Sequence, residues 1–97
     1  MVFLWWLRAT MGVARAIIAK NIRMMRNALG MSQVDLSVAA EIDRSYISGV
    51  EREKRSISAD KVEQLAKTFG VEIYEMFHPD TGEAYQRVRK NVTGAED

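Results

Sequence analysis

The stretch SQVDLSVAAEIDRSYISGVEREKR, residues 32–55, predicts two short helices joined by a tight corner. Ser32 can bond the free amides at the start of a helix, and Asp35 can complete a capping box. Asp43 offers the same kind of cap to a second helix, which is predicted over residues 44–52. A pair of this kind is typical of a helix-turn-helix, whose second helix fits the major groove of DNA.

Apolar side chains before and after this stretch recur at helical spacing. The two stripes comprise Ile18, Ile22, Met25 and Leu29, and Val62, Leu65, Ala66 and Phe69. Gly30 and Gly70 follow the stripes, at positions where a helix end favours positive φ. A fifth short helix is predicted over 71–77, before a proline, and a polar helix over 83–91 after a turn at 80–82. Because no strand pattern is present, the chain is predicted to be all-α.

The composition excludes several classes of protein. The chain has 97 residues, of which 47% are hydrophobic and 28% charged, as in one ordinary globular domain. It lacks cysteine, which excludes disulfides and thiolate metal sites and favours the reducing cytoplasm. Its one histidine, His78, cannot form a metal centre alone, and neither a glycine-rich phosphate loop nor paired carboxylates on one helical face occur. We therefore predict no enzyme activity, no catalytic residue, no metal and no cofactor.

The charges are unevenly distributed although the net charge is only +1. From Arg8 to Arg55, nine Lys and Arg residues stand against five Asp and Glu residues, whereas residues 56–97 have five against eight. A basic front half with an acidic back half favours one positive face for phosphates. A chance distribution of charge is the alternative.

Residues 2–7, VFLWWL, form an apolar run too short for a membrane span, which needs about 20 residues. No basic region precedes the run and no small-residue cleavage site follows it, so we do not expect a signal peptide. Three interpretations stay open: the run packs on the domain or a partner, it touches a membrane surface, or the natural start is Met11. We divide the chain into an apolar N-terminal extension (1–12), a helix-turn-helix domain (13–78) and a polar, partly helical C-terminal tail (79–97).

The exposed N-terminal end of the second helix is the part of a helix-turn-helix that can reach base edges. Here these positions are Arg44, Ser45 and Ser48. Arg44 can donate two hydrogen bonds to a guanine, which is worth about 1–3 kcal/mol of discrimination. Serine bonds either bases or phosphates and therefore carries less information. The alternative is that these side chains only solvate the surface of a helix.

Cations follow directly after this helix. Arg52, Lys54 and Arg55 are expected beside the sugar-phosphate backbone, where they would set register and affinity. Gln33 lies at the start of the preceding helix, whose free amides and dipole favour a phosphate. Tyr46 can stack on a sugar or a thymine methyl group, or it can cover the edge of the core.

Two further features concern packing. Glycine inside a helix costs about 1 kcal/mol relative to alanine, so Gly49 requires a compensating contact, either close approach to DNA or tight packing on the helix before it. Arg26 and Glu51 fall on helical turns that face the interior. We expect an ion pair between them that braces the third helix against the first.

Several short segments of the chain together form a specific series of motifs. They are Ile22-Arg23-Met24-Met25-Arg26, Gly30-Met31-Ser32-Gln33, Leu36, Asp43-Arg44-Ser45-Tyr46-Ile47-Ser48, Glu51-Arg52, Leu65-Ala66 and Phe69-Gly70-Val71. The series, which spans residues 17–78, resembles the Cro/repressor (XRE-type) helix-turn-helix family. Within that family it looks most like restriction–modification controller proteins and small prophage-type repressors.

The resemblance implies a five-helix, lambda-repressor-like DNA-binding domain that forms a homodimer and binds double-stranded DNA at an operator with two related half-sites. The base-reading positions that it implies are Arg44, Ser45, Ser48 and Gly49. The phosphate-contacting positions that it implies are Gln33, Tyr46, Arg52 and Arg55. It also implies the interior ion pair of Arg26 with Glu51.

Two positions depart from the pattern of the family. The corner between the two helices commonly carries glycine in the family, whereas this chain has Glu41. Either Glu41 adopts positive φ, at a cost of about 1 kcal/mol or more, or the corner differs. Gly49 lacks a side chain that some relatives use to read bases, so Arg44 is expected to carry more of the specificity.

Two functional hypotheses of different classes follow. The first is a transcription regulator that acts as a homodimer, with one recognition helix per subunit. Its predicted interface comprises Val71, Ile73, Tyr74 and Phe77. The second is an antitoxin or protein-binding adaptor that uses the same fold to hold a toxin or another protein. A pure adaptor would not need Arg44, Arg52 and Arg55 together, so this array favours the first hypothesis.

Overall fold

The computed structural model describes the backbone of residues 12–96 and the side chains of residues 12–90. Over these residues the chain forms five α-helices, one 3-10 helix and no strand. They are α1 (Val13–Ala28), α2 (Gln33–Ala40), α3 (Arg44–Glu51), α4 (Ala59–Phe69), the 3-10 helix (Ile73–Phe77) and α5 (Thr81–Glu96). The predicted all-α fold is confirmed.

The N-terminal caps that the sequence indicates are present in the structure. The Ser32 hydroxyl accepts a hydrogen bond from the Asp35 amide (3.0 Å), and the Asp35 carboxylate accepts one from the Ser32 amide (2.9 Å). Asp43 caps α3 by accepting a bond from the Ser45 amide (3.1 Å), and Ser58 caps α4. Each cap is worth about 1 kcal/mol, and together they fix where α2, α3 and α4 begin.

The hydrophobic core is built around α1, which contacts α3, the 3-10 helix and α5. The largest fully buried apolar side chains of the described residues are Ile22, Met25, Leu36, Ile47, Leu65 and Met76. The helices α1 to α4 and the 3-10 helix each contribute at least one of them. One shared core therefore fixes α2 and α3 relative to the rest of the domain.

The C-terminal part differs from the sequence prediction in detail. The fifth short helix, predicted over 71–77, is present as a 3-10 helix, a geometry that suits short segments. The turn predicted at 80–82 is wrong, because the turn lies at residues 79–80 and α5 begins at Thr81. The helix α5 is also longer than the polar helix predicted over 83–91.

Asn21 fastens this C-terminal part to α1. Its fully buried side chain donates hydrogen bonds to the carbonyl oxygens of Met76 and His78 (both 2.9 Å) and accepts one from the Gly82 amide (2.9 Å). The first amides of a helix and the last carbonyls have no partner within it. One side chain of α1 thus satisfies carbonyls at the end of the 3-10 helix and an amide in the first turn of α5.

The close packing of α5 on α1 requires a glycine at residue 82. A Cβ atom there would lie 3.0 Å from both Cβ and Sδ of Met24. Two side chains of α5 then bond main-chain carbonyl oxygens: the Tyr85 hydroxyl donates to Phe69 (2.9 Å), and the Gln86 amide donates to Met24 (3.2 Å). The polar helix of the C-terminal tail is therefore packed along the domain.

The apolar run at residues 2–7 lies outside the described residues, and its three interpretations stay open. The division of the chain into an N-terminal extension, a domain and a C-terminal tail likewise stays a prediction. Among the helices that the structure describes, none has both the length and the hydropathy that crossing a bilayer requires.

Candidate nucleic-acid interface

The corner between α2 and α3 is built on a glutamate in the left-handed conformation. Glu41 has φ 57° and ψ 45°, and the amides of Glu41 and Ile42 donate hydrogen bonds to the Ser37 carbonyl oxygen. The Ile42 side chain is buried. The sequence left open whether Glu41 adopts positive φ or the corner differs from that of the family. In the structure Glu41 adopts positive φ, at a cost of about 1–2 kcal/mol.

The helix α3 ends on a second left-handed glutamate. Glu53 has φ 61°. The Glu53 amide donates to the Val50 carbonyl oxygen (3.0 Å) and the Lys54 amide donates to that of Gly49 (2.9 Å), as in a Schellman motif. Glu41 and Glu53 are the two non-glycine residues with positive φ in the described part of the chain. Sharp backbone reversals therefore define both ends of α3.

The helix α3 has one buried face and one open face. Ile47 and Val50 are buried, whereas Arg44 and Ser45 are exposed and Ser48 is half-buried. Among the described residues, no hydrogen bond or ion pair holds the Arg44 guanidinium. Its N–H donors are therefore available to a ligand.

Ser45 is held by the N-cap of its own helix. Its hydroxyl donates a hydrogen bond to the Asp43 carboxylate, which also accepts one from the Ser45 amide. The bond from the hydroxyl is the main reason why the pKa of Asp43 lies below its ordinary value. Because its proton is used in this way, the Ser45 hydroxyl is left as an acceptor, which suits an amino group on a base edge.

Gly49 is buried under the side chain of Arg55. A Cβ atom at residue 49 would lie 3.0 Å from Arg55 Cδ and 3.2 Å from Arg55 Cγ. Room for the aliphatic stem of Arg55 is thus a third reason for glycine here, besides close approach to DNA and packing on α2. The structure separates Gly49 from the exposed Arg44 and Ser45, and a base-reading role for Gly49 stays a prediction.

Tyr46 holds two cations and anchors the loop that follows α3. The guanidinium carbon of Arg55 lies 4.4 Å from the centre of the Tyr46 ring, and the Lys61 ammonium lies 5.0 Å from it. The Tyr46 hydroxyl accepts a hydrogen bond from the Ser58 amide (3.1 Å) and donates one to the Ser56 carbonyl oxygen (3.3 Å). Cation–π contacts at exposed sites are worth about 0.5–1 kcal/mol, so Tyr46 positions positive charge beside α3.

Lys61 is the member of this cluster that the sequence analysis did not single out. It belongs to α4, and no local spacing relates it to Tyr46. The other two predicted phosphate contacts after α3, Arg52 and Lys54, are exposed, and Arg52 donates a hydrogen bond to the carbonyl oxygen of Ser48 (3.3 Å). The structure thus joins Arg55 to Lys61 through the Tyr46 ring, but shows no such contact for Arg52 or Lys54 within the described residues.

Three helices meet at the carboxylate of Glu51. Arg26 of α1 donates a hydrogen bond to each of its oxygens, both at 2.9 Å, and Gln33 of α2 donates to Oε1 at 3.4 Å. Arg26 also donates to the Met31 carbonyl oxygen (3.0 Å). Arg26 and Glu51 therefore form the ion pair that the sequence predicts. Gln33, for which the sequence indicated a phosphate contact, also bonds the Glu51 carboxylate.

This arrangement of helices matches a known family. The family model described as helix-turn-helix matches residues 22–76, which is more than half of the chain. The chain belongs to the helix-turn-helix family. The resemblance seen in the sequence is thereby confirmed, and the match ends in the 3-10 helix, before α5 begins.

Proteins similar to this helix-turn-helix chain include the hypothetical transcription factor of Neisseria meningitidis, which is 37% identical over 65 residues. The match covers 67% of this chain but only 61% of that protein, less than two thirds of its length. The solved structure of the hypothetical transcription factor NHTF from Neisseria has a TM-score of 0.67 and 34% identity, and the match covers 73% of this chain and 82% of that one. The solved structure of the restriction-modification controller protein C.AhdI from Aeromonas hydrophila has a TM-score of 0.62 and 35% identity. The match covers 65% of this chain and 96% of that one.

The 3-10 helix of this helix-turn-helix protein presents apolar side chains to solvent. Tyr74 is 71% exposed, Ile73 49% and Phe77 46%, whereas Val71 is half-buried. Val71 and Tyr74 line a groove of about 540 Å³ together with Val88 of α5. Ile73 and Phe77 do not line it. The four predicted interface residues thus lie on one short segment but not in one groove.

Proposed function

We propose that this chain is a sequence-specific DNA-binding transcription regulator of the cytoplasm, and that it binds an operator with two half-sites as a homodimer. The observation that carries the proposal is α3, whose inner face is buried while its N-terminal end presents the unengaged Arg44. The major groove of DNA, about 12 Å wide, admits a helix presented in this way. Membership of the helix-turn-helix family supports the same conclusion.

Direct base readout in this proposal belongs mainly to Arg44 and Ser45. The Arg44 guanidinium can donate to both O6 and N7 of a guanine. The Ser45 hydroxyl, whose proton is bonded to Asp43, would accept from the amino group of adenine or cytosine. Ser48 is half-buried and Gly49 is buried, so they contribute less to recognition.

Backbone contacts would come from the cations after α3 and from the start of α2. Arg55 and Lys61 meet on the Tyr46 ring, which makes Tyr46 a positioning residue for both of them. Gln33 begins α2, where free amides and the helix dipole attract a phosphate. Such contacts fix register and affinity without reading sequence.

The homodimer would form through the 3-10 helix. Its exposed side chains Ile73, Tyr74 and Phe77 are large and apolar, and a twofold interface uses the same patch on both copies. Each copy would supply one α3, and the two would enter successive major-groove faces about 34 Å apart. An operator with two related half-sites follows from this symmetry.

Selection from random duplexes tests the proposal, with the bound pool sequenced and each variant then titrated on the selected site. Arg44→Ala should weaken binding to the selected site by about 1–3 kcal/mol and relax the preference at one position of each half-site. Arg52→Ala and Arg55→Ala should weaken all sequences equally and flatten the salt dependence. Lys67→Ala, at an exposed cation near the end of α4, serves as the matched control and should change neither.

Two results would contradict the proposal. If no sequence is enriched from the random pool, α3 does not read bases. If Arg44→Ala keeps both the preferred site and the affinity, another residue carries the recognition. A selected site with a single, unrepeated element would contradict binding by a homodimer to two half-sites.

A further inference from the structure

The helix α5 has two faces with different surroundings. Gly82 and Gln86 lie against α1, where the Gln86 amide bonds the Met24 carbonyl oxygen and Gly82 leaves room for the Met24 side chain. A second face consists of residues that recur at helical spacing, Thr81, Ala84, Tyr85 and Val88. These four residues line the groove of about 540 Å³ beside the 3-10 helix. The helix is therefore packed on α1 along one side and borders an open groove along another.

Val88 is an exposed apolar side chain in a polar helix. It is 61% exposed, and its neighbours Arg87, Arg89 and Lys90 are exposed cations. One exposed valine is ordinary on a protein surface. Val88, however, lines the same groove as Tyr74, which is 71% exposed. Two elements of the fold thus present large apolar side chains to water at one place, which is typical of an interaction site.

The groove adjoins the apolar patch of the 3-10 helix. Ile73 and Phe77 belong to the same five-residue helix as Tyr74, and each is about half exposed, but neither lines the groove. The surface therefore carries protruding apolar side chains next to a hollow. A twofold axis places the same patch of two copies face to face. The protruding side chains of one copy can then enter the hollow of the other, and the reverse.

We propose that the groove between α5 and the 3-10 helix is part of the homodimer interface, where it receives Ile73 or Phe77 of a second copy. The inference rests on the homodimer of the proposed function and extends its interface to α5. This helix lies beyond residues 22–76, which the family model matches. Val88 and Tyr74 would lose their contact with water in the dimer, and burial of their apolar surface would stabilise it.

A second copy suits this surface better than a small ligand does. A ligand in the groove would leave Ile73 and Phe77 in water, since neither of them lines it. A second copy covers the groove and the protruding side chains in one event. The residues that line the groove also include charges of both signs, the acids Glu75 and Asp80 and the base Arg89. Because the signs are mixed, two identical rims can meet without a net repulsion.

Sedimentation equilibrium of the full chain over a range of concentrations tests the inference. Val88→Glu places a charge in the groove of each copy, so one substitution acts twice in a twofold dimer. The Kd of the dimer should rise by at least about tenfold, because an unpaired charge resists burial. Val38→Glu is the matched control, since it makes the same change at a valine of α2 that is 74% exposed. It should leave the Kd unchanged.

Three results would overturn the inference, and they separate it from the proposed homodimer. A dimer that Tyr74→Glu weakens but Val88→Glu does not would exclude α5 from the interface and leave the homodimer in place. Equal weakening by Val88→Glu and Val38→Glu would mean that added negative charge acts without any contact in the groove. A chain that stays monomeric at every concentration would contradict both proposals. Circular dichroism of each variant checks that the helices are retained.

Discussion

The helix α1 holds two parts of the molecule through polar side chains that lie five residues apart. Arg26 bonds both carboxylate oxygens of the buried Glu51 and so braces α3. Asn21 bonds three main-chain groups around the start of α5. The first contact joins two side chains of opposite charge, whereas the second joins a neutral amide to the backbone. This difference governs how much each contact stabilises the protein and how well the sequence predicts it.

The two contacts should also fail in different ways. A buried carboxylate that loses its cation is left without a compensating charge, which costs more than the loss of neutral hydrogen bonds. The groups around Asn21 lie where the last described helix begins, so separation of α5 would let water reach them. We therefore expect the contact at Glu51 to contribute more to global stability, and the contact at Asn21 to limit local opening of α5.

Loss of the charged contact is the largest expected effect. Arg26→Ala should lower the free energy of unfolding by about 3 kcal/mol, because a buried charge is left without its partner. Arg15→Ala, at another exposed arginine of the same helix, is the control and should cost less than about 0.5 kcal/mol. Urea denaturation measures both. Equal losses in the two variants would refute the brace between α1 and α3.

Loss of the neutral contact should cost less. Asn21→Ala leaves one amide and two carbonyl oxygens unpaired, and we expect a loss of about 2 kcal/mol once water hydrates part of them. Asn27→Ala, at an exposed asparagine of α1, should cause no loss. Trypsin should also cleave at Arg87 in α5 faster in Asn21→Ala but not in Arg26→Ala. Unchanged cleavage in Asn21→Ala would show that Asn21 does not hold α5.

The packing beside Asn21 gives a smaller effect. Gly82→Ala should destabilise the protein by about 1 kcal/mol, although alanine favours helix, because its Cβ would lie 3.0 Å from Met24. The same substitution in a Met24→Ala background should cost somewhat less, since Met24→Ala removes Sδ, one of the two close atoms, although Cβ remains. A double-mutant cycle by urea denaturation measures this coupling. Additive losses would mean that Sδ of Met24 does not limit the space at residue 82.

Acid should remove carboxylate contacts at the start of α2 and in α5. We expect this effect on stability to be smaller than those of the substitutions at Arg26, Asn21 and Gly82. The Ser32 amide, and then its hydroxyl, lower the pKa of Asp35, and the hydrogen bond with Lys20 lowers that of Glu83. A group with a lower pKa in the folded state stabilises it above the unfolded pKa, and this contribution is lost as the pH falls through the folded pKa.

Unfolding free energy should therefore decrease as the pH falls below the ordinary values of 3.8 for Asp35 and 4.5 for Glu83. The decrease should be smaller in Asp35→Asn and in Glu83→Gln, each of which lacks one of the titrating groups. Urea denaturation across this acid range provides the measurement. Profiles that coincide with that of the unmodified chain would exclude a contribution from these carboxylates.

Local signals in the sequence predict most of the fold. Ser32 and Asp43 mark the starts of α2 and α3, and Gly70 marks the end of α4, because caps and left-handed ends depend on neighbouring residues. Arg26 and Glu51 could be paired in advance because they have opposite charges on turns that face the interior. The partners of Asn21 are backbone groups 55 to 61 residues away, and no residue type marks such a partner.

The candidate interface shows the same limit. The sequence indicates which side chains α3 carries, and the exposed Arg44 follows from its position at the helix start. The path of the loop after α3 decides the rest. That path lays Arg55 over Gly49 and brings Lys61 to the Tyr46 ring, and neither contact has a periodic signal. Positive φ at Glu41 could be named only as one of two alternatives.

The bond from the Gly82 amide to Asn21 has a consequence for hydrogen exchange. Amides in the first turn of a helix normally lack a partner within it and exchange quickly with deuterated solvent. The Gly82 amide donates instead to a side chain buried in another helix. Its deuterium uptake should therefore be as slow as the separation of α5 from α1. The exchange rate of this single amide thus reports how often α5 opens.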